Sequence, residues 1–242
     1  MFAEQVPLKR IAQEVGTPAY VYSLATLKRH FKVFDQAFAK ARHIVCFSVK
    51  ANSNLALLRA FTKEGSGFDI VSEGELFRAL KVGADPKKIV FSGVGKKKHE
   101  IEYALDAGIL MFNVESEEEL FALDEIAAGI GKKAPISLRV NPDVDPQTHP
   151  YISTGMKKAK FGVDIKKSLE TYRKAVSLKN VEVVGVDCHI GSQLTSVTPF
   201  VDALAKVREY LDRVLAGELK KEGAQIRYLD LGGGLGINYH DE

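Results

Sequence analysis

Short β-branched runs alternate along the chain with longer segments that carry apolar residues at helical spacing, and this alternation constrains the fold most. From residue 44 onward the unit occurs seven times. The predicted strands are residues 44–49, 68–71, 88–92, 110–114, 136–140, 181–187 and 226–231. The predicted helices are residues 54–64, 73–82, 97–107, 116–130, 166–178 and 198–222. This α/β alternation predicts a parallel sheet covered by helices.

Two architectures fit such a sheet, a doubly wound open sheet and a closed (β/α)₈ barrel. Seven units favour the barrel. Because the sequence stops at Glu242, soon after the seventh strand, we expect a TIM-type barrel that is truncated after that strand. A barrel without its last strand would leave two unpaired edges.

The first forty residues follow a different pattern. Residues 18–22 read as a short extended piece, and Ser23 can cap a helix over residues 24–39. We therefore divide the chain into residues 1–40, an extended piece with a helix, and residues 41–242, the barrel. The one long irregular stretch, residues 141–160, follows the fifth strand and is predicted to be functional or mobile.

Composition narrows the possible partners. The 34 basic and 31 acidic residues are interspersed, which argues against a nucleic-acid partner. No apolar run is long enough for a membrane helix and the start lacks a signal-peptide pattern, so a cytoplasmic protein without a membrane partner is expected. Cys46 and Cys188 lie in apolar runs and are predicted to be buried, reduced thiols. No metal site is predicted.

The run Gly232, Gly233, Gly234 follows the seventh strand. Barrel enzymes carry their reactive groups at the carboxyl ends of the strands and often bind phosphate after strands seven and eight. Backbone amides can converge on an anion where side chains are missing. A dinucleotide fingerprint would need a glycine where Ile237 stands, and it belongs in the first βα turn. A tight turn without a ligand is the remaining alternative.

Lys50 directly follows the first strand. A lysine in a partly desolvated pocket has a lowered amine pKa and can form a Schiff base with an aldehyde. Together with a phosphate-binding glycine run, this suggests pyridoxal phosphate as cofactor. The alternative is a lysine that merely extends to solvent at a strand end.

Three further side chains lie at predicted strand ends. His189 could stack on a flat ring or transfer a proton, or it could be a histidine with a structural hydrogen bond. Arg139 could grip a carboxylate or close a surface ion pair. Asp69 could orient a cationic group or cap the following helix.

Two sets of charged residues are predicted to have a structural role and no part in the chemistry. Glu115, Glu117, Glu118 and Glu119 are expected to open a helix, where carboxylates meet the positive end of the helix dipole. The lysines at positions 96 to 98, and those at 157, 158 and 160, are expected to be solvated.

The sequence around these residues resembles the barrel domain of diaminopimelate decarboxylases, within the fold-type III pyridoxal-phosphate decarboxylases that also include ornithine and arginine decarboxylases. The similarity runs from about residue 15 to the end. The segments that carry it are FSVKANSN, GFDIVSEGEL, SGVGK, FNVESEEEL, RVNPDVD, THPYISTGMKKAKFG, CHIGSQ and LDLGGGLGI. THPYISTG and HIGSQ point to the diaminopimelate branch, and SEGEL departs from many relatives, which have glycine where Glu73 stands.

The resemblance implies an alanine-racemase-like barrel that binds pyridoxal 5'-phosphate. It implies that Lys50 carries the cofactor covalently and that His189 stacks on its ring. The glycine run would give its amides to the phosphate, and Ser192 would make a further phosphate or ring contact. Asp69 and Glu75 would support the lysine and histidine side of the site, and Arg139 would organise the groups near the cofactor.

The implied reaction is the loss of the carboxylate at the D centre of meso-2,6-diaminopimelate, which yields L-lysine and carbon dioxide. The family works as a homodimer, with an eighth strand and a C-terminal β-domain that complete the site. Since both are absent from these 242 residues, we expect the isolated chain to bind cofactor weakly and to turn over little.

Two other functions stay open from the sequence. One is a decarboxylase of the same fold that acts on ornithine, arginine or carboxynorspermidine. The other is a non-catalytic barrel that binds pyridoxal phosphate.

Overall fold

A computed structural model describes residues 1–142, 161–212, 217, 219–221, 224–237 and 239. The irregular stretch predicted over residues 141–160, with its THPYISTG segment and three lysines, therefore lies almost wholly outside the described residues. The chain divides into two compact units. The first comprises Met1–Ile70 and Gly74–Ile89, and the second Val71–Glu73 and Val90–Glu242.

The first unit contains a small antiparallel hairpin, one parallel strand pair and four helices. Its elements are β1 (Phe2–Ala3), β2 (Val6–Pro7), α1 (Leu8–Val15), α2 (Leu24–Ala37), β3 (Cys46–Ser48), α3 (Leu55–Lys63), β4 (Gly67–Ile70) and α4 (Glu73–Lys81). Strands β3 and β4 are parallel and place Ser48 beside Asp69. This register brings the polar ends of the two strands together.

Aromatic packing joins the helices of the first unit to β3. The ring of Phe61 on α3 stacks on Phe47 at 4.1 Å and meets Phe31 of α2 edge-on at 6.1 Å. Helix α2 begins as predicted, since the Ser23 hydroxyl accepts a hydrogen bond from the Thr26 amide at 3.0 Å. Helix α1 was not predicted, because it is only eight residues long and buries none of them.

The second unit is built around a parallel sheet. Its elements are β5 (Ile89–Phe91), α5 (Lys98–Ala107), β6 (Met111–Val114), α6 (Glu117–Gly129), β7 (Ala134–Asn141), β8 (Val163–Asp164), α7 (Ser168–Ser177), β9 (Val181–Asp187), α8 (Thr198–Tyr210) and β10 (Tyr228–Asp230). The strand order is β5-β6-β7-β9-β10, all parallel, with β8 paired to the end of β7. Strand β6 is buried along its whole length, as expected for a sheet covered on both faces.

The sheet of the second unit is curled. Three strand-to-strand steps separate β6 from β10, which in a flat sheet would be about 14 Å at a spacing of about 4.8 Å. Yet the Asn113 side chain on β6 donates to the Asp230 carboxylate on β10 at 3.0 Å. Only a sheet that curves round on itself brings these side chains together. This curvature is that of a barrel wall and excludes the doubly wound open sheet.

The predicted strands and most helices agree with the structure to within a few residues. The predicted helix over residues 198–222 differs, because its regular α-helical part ends at Tyr210 and a wider π-type turn begins at Leu211. Cys188 is buried and Cys46 half-buried, and neither forms a disulfide. Within the described ranges, no helix is long and apolar enough to cross a membrane.

Candidate functional site

The glycine run follows β10 and lies tightly against the segment after β9. A Cβ on Gly232 would lie 2.7 Å from the Cys188 carbonyl oxygen, and one on Gly234 would lie 1.9 Å from the Gly191 carbonyl oxygen. Both glycines also have left-handed φ angles, +67° and +99°. A Cβ on Gly233 would meet nothing within 4 Å, so this position faces open space. The run is a backbone cradle that side chains would fill.

Two amides of the run already have acceptors inside the protein. Gly232 N–H donates to Asp230 Oδ1 at 2.8 Å, and Gly233 N–H donates to His189 Nδ1 at 3.2 Å. The Gly234 amide has no acceptor among the described residues, while its carbonyl accepts from the Leu194 amide. Of the three amides, that of Gly234 is therefore the best placed to serve a bound anion.

The hydrogen bond to His189 decides how its ring can act. A nitrogen that accepts an N–H bond carries no proton, so in this arrangement neutral His189 is protonated at Nε2. The residue is half-buried at the end of β9. Its ring is held by the glycine run in a single tautomer, with Nε2–H as a donor.

Arg139 is buried, so its ion pair is internal and is not the surface pair that the sequence left open as an alternative. Its Nη1 donates to both carboxylate oxygens of Glu115, at 2.9 and 3.0 Å. Its Nε lies 4.0 Å from the Asp187 carboxylate, and its guanidinium carbon lies 5.3 Å from the centre of the Phe161 ring. Arg139 and Glu115 are only 7% and 5% exposed. Glu115, read from the sequence as one of several helix-opening acids, is thus the buried counter-ion of Arg139.

A second buried ion pair corrects the expectation that Lys96 is solvated. The Lys96 side chain is 1% exposed, and its amine donates to the Gly93 and Asn113 carbonyl oxygens and to Glu119 Oε1, at 2.6, 2.8 and 2.6 Å. Burial raises the pKa of Glu119 above its usual range, although the Lys96 charge opposes this. The other Glu119 oxygen accepts the Glu115 amide at 2.9 Å. The pair fixes the backbone that presents Glu115 to Arg139.

A series of hydrogen-bonded polar side chains crosses the inside of the curled sheet. It was not predicted from the sequence as part of the site. The Ser137 hydroxyl donates to Asn113 Oδ1 at 2.5 Å, and Asn113 Nδ2 donates to Ser92 Oγ at 3.1 Å as well as to Asp230. Asn113 and Ser137 are 2% and 0% exposed. The sequence signal for this network was Asn113, a polar residue within an otherwise apolar strand. Its role becomes clear only when the curled sheet brings Asp230 of β10 next to it.

Two buried polar atoms have no hydrogen-bond partner in the described part of the chain, Arg139 Nε and Asn141 Oδ1. Buried polar atoms without partners are rare, because desolvation is then uncompensated. A donor and an acceptor therefore remain available close to the Arg139 pair. Of these groups, the glycine cradle and the Arg139 Nε–H donor suit an anion, whereas the Asn141 oxygen, an acceptor, suits a hydrogen-bond donor.

The first unit contains the remaining predicted residues. Lys50 lies in a short 3-10 turn, Val49–Ala51, directly after β3, and it is exposed, whereas the sequence argument expected a partly desolvated amine. The half-buried Asp69 accepts a hydrogen bond from the Ser48 hydroxyl at 2.8 Å. Glu75 lies half-buried in α4.

The structure thus groups the predicted residues by unit. Arg139, His189 and the glycine run lie together in the second unit, and the exposed Ser192 follows His189 closely in the chain. Lys50, Asp69 and Glu75 lie in the first unit.

Residues 24–242 match the family described as pyridoxal-dependent decarboxylase, pyridoxal binding domain. Over all 242 residues the chain is 54% identical to a diaminopimelate decarboxylase of Vibrio cholerae and 55% identical to one of Pseudomonas aeruginosa. It spans 57% of the length of each of these two relatives. The crystal structure of diaminopimelate decarboxylase from Helicobacter pylori in complex with L-lysine matches with a TM-score of 0.91 and 44% identity, over 98% of this chain and 59% of that one.

Proposed function

The chain belongs to the pyridoxal-dependent decarboxylases, whose pyridoxal-binding domain matches residues 24–242, and from this premise we propose that it forms part of a diaminopimelate decarboxylase. The proposed reaction converts meso-2,6-diaminopimelate into L-lysine and carbon dioxide. The predicted barrel fold and the pyridoxal phosphate cofactor are both confirmed by the family match and the structural similarity.

The observation that carries the proposal is the identity of 54–55% across the whole chain to two relatives named for this reaction. The bound L-lysine in the Helicobacter pylori structure agrees with it, because lysine is what remains when diaminopimelate loses one carboxylate as carbon dioxide. An amino acid is therefore the proposed substrate.

Pyridoxal phosphate, when bound, withdraws the electron pair that the departing carboxylate leaves on the α-carbon. The glycine cradle and the Arg139 Nε–H donor fit a phosphate-bearing ring. The protein's own contribution is to bind the phosphate, to hold the ring and to orient the bond that breaks.

We assign the residues as follows, by their local geometry. Lys50 carries the cofactor, because its amine is exposed at the end of β3 and therefore accessible to an aldehyde. Asp69 supports this side of the site, and its hydrogen bond to Ser48 fixes the orientation of its carboxylate. Glu75 assists it. Ser192 supplies a hydroxyl to the phosphate or the ring.

We assign His189 to hold the cofactor ring and Arg139 to organise the groups around it. The Gly233 amide fixes the His189 ring, so the imidazole offers a flat face in a defined plane. Arg139 is neutralised by Glu115 and is therefore an organiser of neighbouring groups rather than a ligand for the substrate carboxylate.

A labelling experiment tests the assignment of Lys50. The purified protein is incubated with pyridoxal phosphate, reduced with borohydride and digested, and the pyridoxyl-modified peptide is identified by mass spectrometry. We expect the label on Lys50 and its loss in Lys50→Ala. Lys63→Ala removes another exposed lysine and serves as the matched control. A label on any other lysine in the unsubstituted protein contradicts the assignment.

A substrate panel tests the reaction. Carbon dioxide release by the purified protein in its full natural length is measured with meso-diaminopimelate, ornithine, arginine and carboxynorspermidine. Release from diaminopimelate alone is the expected result. Preference for another substrate would identify a different decarboxylase, and cofactor binding without release from any of them would identify a non-catalytic barrel.

We also propose that the protein is a cytoplasmic homodimer, as its resemblance to the family implies. Light scattering coupled to size-exclusion chromatography measures the mass, and a monomer at working concentration would contradict the dimer. Because residues 1–242 span 57% of each of the two relatives, these residues alone are expected to bind cofactor weakly and to release little carbon dioxide.

A further inference from the structure

We propose that Asp230 is a positioning residue for phosphate binding, which fixes the glycine run through the Gly232 amide. The inference depends on the proposed function only in that the cofactor carries a phosphate group. Asp230 ends β10, two residues before Gly232, and it is half-buried. It makes no contact with phosphate in this assignment and acts through the backbone of the run.

The two carboxylate oxygens of Asp230 have different partners. Oδ1 accepts from the Gly232 amide at 2.8 Å, and Oδ2 accepts from Asn113 Nδ2 at 3.0 Å. Hydrogen bonds to a charged acceptor are stronger than those between neutral groups. Asp230 therefore connects the start of the glycine run to β6, on the far side of the curled sheet.

Asn113 is itself fixed, so it is a rigid anchor for Asp230. An ionised carboxylate only accepts, which means that the Asn113 amide must turn its nitrogen to Asp230 and its oxygen to Ser137. The second hydrogen on this nitrogen goes to Ser92. All hydrogen-bonding groups of this buried amide are thus satisfied in one orientation, and the position of the Asp230 carboxylate follows from it.

Three consecutive glycines need such an external support. Glycine backbone is the most flexible, and the cost of ordering it falls on any ligand that binds through its amides. The bond from Gly232 to Asp230 and the bond from Gly233 to His189 order the run before a ligand arrives. The unengaged amide of Gly234 is then presented in a fixed direction.

Charge and position predict opposite effects of removing this carboxylate. Asp230 is an anion close to a site for a phosphate dianion, so by Coulomb's law alone its neutralisation would strengthen phosphate binding. Neutralisation to asparagine also leaves one acceptor oxygen for two N–H donors, so one of the two hydrogen bonds is lost. If the main role of Asp230 is to hold the glycine run through these hydrogen bonds, the asparagine variant binds phosphate more weakly.

The experiment compares two ligands that differ only in the phosphate. Dissociation constants for pyridoxal phosphate and for pyridoxal are measured by absorbance titration of the purified protein in its full natural length. For Asp230→Asn we expect the affinity ratio between the two ligands to fall about tenfold, while pyridoxal binding changes little. Glu182→Gln, a carboxylate-to-amide change at an exposed position of β9, should leave the ratio unchanged.

A second variant covers the case in which Asp230→Asn does not fold. Asn113→Ala keeps the Asp230 charge and removes its anchor, so it should lower the same ratio to a smaller extent. An unchanged or increased ratio in a folded Asp230→Asn protein overturns the proposal. Equal weakening of both ligands also overturns it, because this would indicate a general structural role.

The result is separable from that of the proposed reaction. A protein that binds pyridoxal phosphate more tightly than pyridoxal but does not decarboxylate diaminopimelate would refute the proposed reaction and leave the role of Asp230 to be decided by the ratio. An unsubstituted protein that binds both ligands equally would show that the glycine run does not bind phosphate, and this overturns the inference.

Discussion

Arg139 donates from Nη1 to both carboxylate oxygens of Glu115, and both residues are buried. Glu115 directly follows β6, and Arg139 lies on the neighbouring strand β7. Glu115 Oε1 also accepts the Gly93 amide at 3.1 Å. The pair therefore ties the carboxyl ends of three adjacent strands together at the edge where the candidate site lies.

Replacing Glu115 by alanine removes the hydrogen-bonded counter-ion of the buried Arg139 and leaves only the Asp187 carboxylate, 4.0 Å from Nε. Removing one partner of a buried ion pair costs about 3–5 kcal/mol, and we expect a loss of stability of this order. Urea denaturation followed by circular dichroism measures it. Glu118→Ala is the matched control, since Glu118 is exposed in the first turn of α6, and it should change stability by less than about 0.5 kcal/mol. Equal stability of the two variants would contradict the buried pair.

Glu100 gives stability a dependence on pH. The residue is 7% exposed, and its carboxylate accepts the Glu73 and Lys97 amides at 3.0 and 2.9 Å. Burial raises its pKa, but these two N–H donors, together with the charges of Lys97 and His99, outweigh burial and lower the pKa below the ordinary value of 4.5. A lowered pKa in the folded state stabilises above pH 4.5, and this contribution is lost as pH falls through the folded-state pKa.

The corresponding variant is Glu100→Gln, which cannot ionise and keeps one acceptor oxygen for two amides. We expect it to be less stable than the unsubstituted protein by about 1–3 kcal/mol at pH 7, with the difference shrinking below pH 4.5. Urea midpoints from pH 7 to pH 3 measure this. Glu102→Gln, on the same helix, is the control. A difference that stays constant with pH would contradict the assignment.

The two cysteines should differ in reactivity. Burial, together with the nearby Asp187 carboxylate, raises the pKa of Cys188 to about 12. At pH 8 only about one thiol in ten thousand is then ionised. We expect iodoacetamide to modify the half-buried Cys46 in the folded protein and Cys188 only after urea is added. Mass spectrometry locates the label, and rapid modification of Cys188 without denaturant would be the contrary result.

Neighbouring glycines of the same run should respond differently to alanine. At Gly234 a Cβ would lie 1.9 Å from the Gly191 carbonyl oxygen, at a φ of +99°, so Gly234→Ala should destabilise by about 2 kcal/mol or more. At Gly233 a Cβ meets nothing within 4 Å, and the change should stay within about 1 kcal/mol. Thermal unfolding of the two variants provides the comparison. A stable Gly234→Ala protein would contradict the close approach.

Strand β9 was predicted with its observed bounds, and β6 within one residue, because apolar residues predominate in both strands. Helix α2 was predicted from its Ser23 cap. Such signals are local, and so they can be read from the sequence. Helix α1 was not predicted, because it is short and buries none of its residues, and the end of α8 was not predicted, because Leu211 gives no breaking signal there.

The sequence predicted that the site residues lie at strand ends, but it did not predict which residues they contact. The apolar run before Arg139 places this residue near the carboxyl end of a strand. Whether its charge is solvated there depends on the residues of the neighbouring strands. The same holds for Lys96, which was expected in solvent and is buried against Glu119. Sequence separation conceals these partners, since each pair is more than twenty residues apart.

By itself, the sequence determined the order of strands and helices and the α/β class. It also determined the glycine run, which marks a place where the backbone must approach its neighbours without side chains. The tertiary structure alone decided that the sheet curls, that Asn113 meets Asp230 across it and that Arg139 is neutralised within the protein. The physical reason is range: hydrophobic periodicity and glycine geometry act over neighbouring residues, whereas the burial and pairing of a charge depend on strands far apart in the chain.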